Sequence, residues 1–127
     1  MVNRVCLKIL ARKTIYLFCF LTVIIVVTAV INKTNLDGTR GIFLKIFFQD
    51  TTVFTSGYSD KKFRQLKNGM TLSDAVELLG KPVAVDYFDS IRRLHYSSSS
   101  LDSHYSVRQL YFKNKHLVKI KHYYLID

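Results

Sequence analysis

Proline is nearly absent from this 127-residue chain, with one residue, and glycine numbers only five. That scarcity excludes a collagen-like or low-complexity protein, and the high apolar content excludes a disordered one. Cysteine is equally sparse: Cys6 and Cys19 both lie near the start. Everything after them lacks a disulfide or a thiolate metal site. Neither is placed as a lipid acceptor. Bulky Tyr16-Leu17-Phe18 precede Cys19, and no apolar stretch precedes Cys6. Acids are outnumbered nine to nineteen, a formal charge of +10. The excess divides as +5 in residues 1–50 and +5 in residues 51–127, so it is not one patch and does not read as nucleic-acid binding. The length allows one ordinary domain and excludes a multi-domain enzyme.

One long apolar run is present. From Thr14 to Ile31, fifteen of eighteen residues are apolar and none is charged. A bilayer core needs about 20 such residues, with a range of about 17–25. Arg4, Lys8, Arg12 and Lys13 precede the run with no acid among them. The positive-inside rule then predicts a signal anchor: residues 1–13 a basic cytoplasmic N-terminus, 14–31 a helix through the lipid bilayer, and the rest across the membrane. A signal peptide cleaved near Ala29, after Val27-Thr28, is the alternative. The run continues past that site through Val30 and Ile31, which favours the anchor.

Residues 32–57 read as a tether. Its polar part, 32–41, contains two Gly. Ile42–Phe48 is a second apolar burst, too short to span a bilayer, and predicts a strand or a stretch against the membrane surface. Residues 49–57 read as an irregular connection. Residues 58–127 form the domain. Ser59 or Asp60 caps a short helix with Phe63 and Leu66 on one face. Asn68-Gly69 ends it. Thr71 caps a second helix, striped with Ala75, Val76, Leu78 and Leu79 and stopped by Gly80 and Pro82. The period then changes to two. Val83–Phe88, Ile91–Ser97, Tyr105–Phe112 and His116–Tyr124 predict strands. Turns fall at Asp89-Ser90 and Lys113–Lys115, and a flexible loop at Ser98–Ser103. Helices followed by an antiparallel meander predict an α+β fold.

The run Phe63-x-x-Leu66-Lys67-Asn68-Gly69-Met70-Thr71, then Ala75-Val76-Glu77-Leu78-Leu79-Gly80-Lys81-Pro82, resembles the SmpA/OmlA (BamE-like) family of small bacterial envelope proteins. Leu94-His95-Tyr96, Leu110-Tyr111-Phe112 and Val118-Lys119-Ile120 fill the places of its strand motifs. The resemblance covers about residues 50–127. Ala75-Val76 stand where the family usually has Glu-Val. The resemblance implies two short helices packed on a three- to four-stranded antiparallel sheet. It also implies a non-enzymatic module with an envelope protein partner, accessory to outer-membrane protein assembly.

Reactive constellations are scarce. His116 and His122, six apart on one predicted strand, share a face about 20 Å apart and cannot bind one ion. His95 and His104 read as sheet residues, and Asp86 and Asp89 as strand-end and turn residues. Ser97–Ser100 has no nucleophile-elbow context, and the Gly form no phosphate loop. No catalytic residue, metal or cofactor is expected. The remaining signal is basic and aromatic. Arg92, Arg93, Tyr96, Arg108, Tyr111, Lys119 and Lys121 are the candidate binding residues, expected to meet a protein partner or anionic lipid headgroups in the periplasm. The alternative is an inhibitor or immunity-type module, since the layout also resembles β-lactamase-inhibitory proteins.

Overall fold

The computed structural model describes residues 4–126. Met1–Asn3 of the expected basic N-terminus and Asp127 at the end of the expected domain lie outside the described residues, as do the side chains of Arg4, Cys6 and Lys8.

The first helix, α1, runs Arg4–Thr34, well beyond the apolar run at both ends. Thr14 and Thr28 turn their hydroxyls back to the carbonyls four residues earlier, which is how a hydroxyl is satisfied on an apolar helix. Ile9–Lys33 is long and apolar enough to cross a membrane by length and composition, and none of it is buried within the molecule.

The stretch expected as a tether is ordered. After a turn at Asn35–Asp37, a second helix, α2, spans Gly38–Phe47. The Asn32 side chain accepts the Thr39 N–H at 3.0 Å and so satisfies one of its first-turn donors. Gly41 is buried where a Cβ would lie 2.1 Å from that of Asp37, so only glycine lets the helix pass. Most of the apolar burst, through Phe47, is therefore helical, which excludes the strand among the two expectations for it.

A short strand β1, Thr52–Phe54, lies in the expected irregular connection. It pairs antiparallel with β4, Ser97–Ser99, in what had read as the edge of a flexible loop. The serines make this possible. Their small side chains let the chains approach, and Thr51 shares a hydrogen bond with Ser99 Oγ at 2.7 Å while donating to the His104 carbonyl.

Helix α3 is Asp60–Phe63, capped by Ser59, and ends earlier than its pattern suggested because the next residues form tight turns. Helix α4 is Leu72–Leu79, capped by Thr71. The Gly-Met-Thr turn between them lies along the main sheet: Gly69 N–H donates to the Leu117 carbonyl and Leu117 N–H to the Met70 carbonyl. Gly80 closes α4 with φ +85, and a Cβ there would stand 2.7 Å from the Ser56 carbonyl oxygen.

The main sheet has the order β2-β3-β5-β6, all antiparallel. Its strands are β2 Ala84–Phe88, β3 Ile91–His95, β5 Tyr105–Lys113 and β6 His116–Leu125. Two-residue turns at Asp89-Ser90 and Asn114-Lys115 join the outer pairs, with positive φ at Asp89, Asn114 and Lys115. Phe63, Ala75 and Leu79 from the helices and Leu66 from the turn after α3 pack on Leu94, Leu110, Phe112 and Leu117 from the sheet and on Tyr96, just past β3. Register shifts at Tyr111/Phe112, where Val118 is the extra residue. That bulge puts Leu117 and Ile120 both on the core side. It also carries His122 to that side, against Phe63, so His116 and His122 do not share a face.

Candidate functional site

Two polar assemblies are built on β5, one on each face of the sheet. The face opposite the helices is open. Along β3, Arg93 and His95 point there while Arg92 and Leu94 point back, because neighbours on a strand alternate. The cross-strand register aligns Asp86, Arg93, Tyr111 and Lys119 in one row and Ala84, His95, Gln109 and Lys121 in the next.

Hydrogen bonds join these rows into a ladder. Arg93 donates to Asp86 Oδ2 through Nε at 3.0 Å and through Nη2. His95 Nε2 lies 2.9 Å from the same oxygen. Gln109 Nε2 is 3.3 Å from His95 Nδ1, and the Tyr111 hydroxyl donates to Gln109 Oε1 at 2.9 Å. Tyr111, Gln109, His95 and Asp86 thus form one continuous chain of polar contacts across the open face. Lys121 Nζ stands 5.3 Å from the centre of the Tyr111 ring. Hydrogen bonds from Arg93 and His95 hold the Asp86 carboxyl below the ordinary carboxylate range. At the β2 end Phe88 is 76% exposed beside Ile91, and at the β6 end Lys119 is exposed. The surface thus grades from apolar to cationic.

The second assembly is buried under the helices. Arg108 is 1% exposed and grips Asp37 with both ends of its guanidinium, at 2.7 and 3.0 Å. Its Nε donates to the Tyr58 hydroxyl at 2.9 Å, which itself donates to Asp60 at 2.6 Å. Ser106 and Lys45 complete the shell around Asp37. Burial pushes the Asp37 carboxyl up, but hydrogen bonds and charge from Arg108, then Ser106 and Lys45, outweigh it, and the group sits below its ordinary value. Burial opposes the charge on Arg108 too, and Asp37 reverses that. Burial and the bond to Asp60 raise the Tyr58 phenol strongly.

The seven residues picked from sequence therefore separate. Arg93, Tyr111, Lys119 and Lys121 share the open face. Arg92 is on the other face, over the Tyr87 ring at 5.1 Å. Tyr96 and Arg108 are not surface residues at all: both are buried, Tyr96 in the core and Arg108 in the Asp37 pair. Burial raises the Tyr96 phenol to about 12. Asp86, His95 and Gln109 were missed as parts of the ladder. The signal for them was the register, which places an acid, an imidazole and an amide beside the predicted Arg93 and Tyr111. A cleft of about 350 Å³ borders His95, lined by Ser97, Ser98, Ser99 and Ser103. Both His95 nitrogens are engaged by Asp86 and Gln109, so the imidazole activates none of those hydroxyls.

Helices covering one face of a small antiparallel sheet, with an open, graded opposite face, define a compact α+β domain. The family model for the outer membrane protein assembly factor BamE domain matches residues 58–122, half of the chain, and the chain belongs to that family. The match spans α3 through most of β6 and excludes α1, α2 and Asp37. No curated protein and no solved structure matches the chain.

Proposed function

We propose that this protein is a membrane-anchored, non-catalytic binding and scaffolding module of the bacterial envelope that assists outer-membrane protein assembly. The observation carrying this reading is the BamE family match, which covers the helical pair and most of the sheet together. In this reading α1 crosses the inner membrane once with its N-terminus cytoplasmic, and the domain works in the periplasm. The apolar composition of Ile9–Lys33 and the cations before it support that placement. The open face, from Phe88 and Ile91 across Arg93 and Tyr111 to Lys119 and Lys121, is the partner surface. It suits an envelope protein presenting an apolar patch beside acidic residues.

A photo-crosslinking side chain at Tyr111, in intact envelopes, tests the reading. Capture of barrel-assembly components is expected. Capture of only unrelated inner-membrane proteins would remove the assembly role, and capture of one soluble enzyme in equal amount would favour an inhibitor. Topology has its own check. With Cys6 and Cys19 replaced by Ser, Leu101→Cys should react with a membrane-impermeant thiol reagent added outside the inner membrane. Protection of that position would overturn the orientation.

A further inference from the structure

Helix α2 is amphipathic in the wrong sense for a water-exposed helix. Lys45, the one charge in Ile42–Phe48, turns inward to Asp37 at 3.2 Å and Asp50 at 3.7 Å, over the Tyr124 ring. Gly41 and Leu44 point the same way, lining the crevice against Tyr123 and Tyr124. Phe43, Ile46 and Phe47 point outward, 60%, 74% and 66% exposed. Residues three and four apart share a helix face, so these three make one apolar ridge, with exposed Arg40 three residues before Phe43. A contiguous apolar ridge of this kind marks something that covers it.

The chain itself says what stands nearby. Only residues 35–37 separate α1 from α2, at most about 10 Å of extended backbone, and Asn32 in the last turn of α1 caps α2 directly. If α1 spans a bilayer, α2 starts at its surface. We propose that α2 is an interfacial helix, its Phe43, Ile46 and Phe47 ridge seated in the headgroup and upper acyl layer of the membrane that α1 crosses. Such helices bury their apolar face about 5–10 Å into that layer, with cations meeting anionic headgroups. Lys33 and Arg40, both exposed, are placed for that contact. The Asp37–Arg108 pair then fixes the domain to α2, so the membrane sets the direction in which the open sheet face looks. The inference rests on reading α1 as a membrane span, and the experiment separates the two.

The chain has no tryptophan, so each variant below carries a single reporter. Full-length Phe47→Trp, Leu21→Trp and Phe88→Trp are reconstituted in vesicles of zwitterionic and anionic phospholipid brominated at shallow or deep acyl positions. Phe88 lies on the sheet edge away from α2 and reports the solvent-side baseline. Phe47→Trp should lose most of its emission to shallow bromines and less to deep ones, and shift to the blue, while Phe88→Trp is unaffected. Leu21→Trp should be quenched most by deep bromines. Emission of Phe47→Trp as insensitive as that of Phe88→Trp would overturn the interfacial helix, whatever Leu21→Trp shows. Quenching of Phe47→Trp without Leu21→Trp would uphold the interfacial helix and overturn the span. Ile46→Trp repeats the measurement on the same ridge, so the result does not depend on one variant.

Discussion

Asp37–Arg108 and Asp86–Arg93 are the same chemical pair in two surroundings. The first has side chains 4% and 1% exposed, the second 44% and 40%. In the first, both side chains are buried, Asp37 also meets Ser106 and Lys45, and the two ends belong to segments 71 residues apart. In the second, two neighbouring strands hold the ends and solvent screens them. The buried pair is therefore a lock that ties the segment between α1 and α2 to the sheet. The exposed pair lies on the open sheet face, the surface proposed to meet a partner. Arg93 and Arg108, read from sequence as one basic signal, divide by burial into a surface residue and a structural one.

Breaking the lock should have the largest effect. Arg108→Ala removes the bidentate partner of the buried Asp37 carboxylate and leaves it only Ser106 and the partly exposed Lys45; breaking a buried pair this way costs about 3–5 kcal/mol. Denaturant unfolding of the detergent-solubilised protein should show it. Removing both charges, Asp37→Leu with Arg108→Met, should recover much of that loss, because no uncompensated charge remains. If single and double variants lose the same stability, the pair is not the lock.

Acid should open the lock next. Asp37 is depressed below its ordinary 3.8 in the folded protein, so the unfolded chain binds its proton more readily. Its contribution to stability is present above that ordinary value and is lost as pH falls through the folded one. The unfolding midpoint should fall with acid below about pH 4, and Asp37→Asn should flatten that part of the profile while lowering stability throughout.

The exposed pair should behave oppositely. Arg93→Ala should leave the unfolding midpoint nearly unchanged, since exposed ion pairs contribute little, yet reduce the yield of crosslinks from Tyr111. A loss of stability comparable to that of Arg108→Ala would erase the distinction between the two faces. The smallest change is expected at Tyr96. Its hydroxyl is buried with no hydrogen-bond partner among the described residues. Tyr96→Phe should leave stability unchanged or raise it by about 1 kcal/mol or less, because an unsatisfied polar group is removed. A drop of several times that size would reveal a hydroxyl contact in solution.

The α+β class, both short helices, the Thr71 cap, a first cap at Ser59 or Asp60 that the structure resolves to Ser59, and the two hairpin turns were legible because each is encoded locally. A cap needs a hydroxyl three residues before an N–H, a stop needs Gly or Pro, and a strand announces itself by alternation. The family signature was legible for the same reason: Gly69, Met70 and Gly80 mark places where backbone meets backbone. The tether failed as a reading because helix α2 is ordered by Asn32, Asp37 and Arg108, contacts that no window of local sequence contains. The serine run was read as a loop because hydroxyls bridging to Thr51 leave no hydrophobic period. Among the candidate binding residues, Arg92 and Arg93 looked alike in sequence and ended on opposite faces.

Sequence by itself determined the apolar helix, the two short helices, the four main strands and the BamE-like core, since local propensity and hydrophobic period suffice for those. Only the tertiary structure decided that β6 carries a bulge, that Arg108 is a lock while Arg93 is surface, and that α2 turns its charge inward and its phenylalanines out. Those outcomes depend on which distant groups a side chain meets after packing. Burial, which sets the strength of every charge on this chain, exists only once the chain has folded.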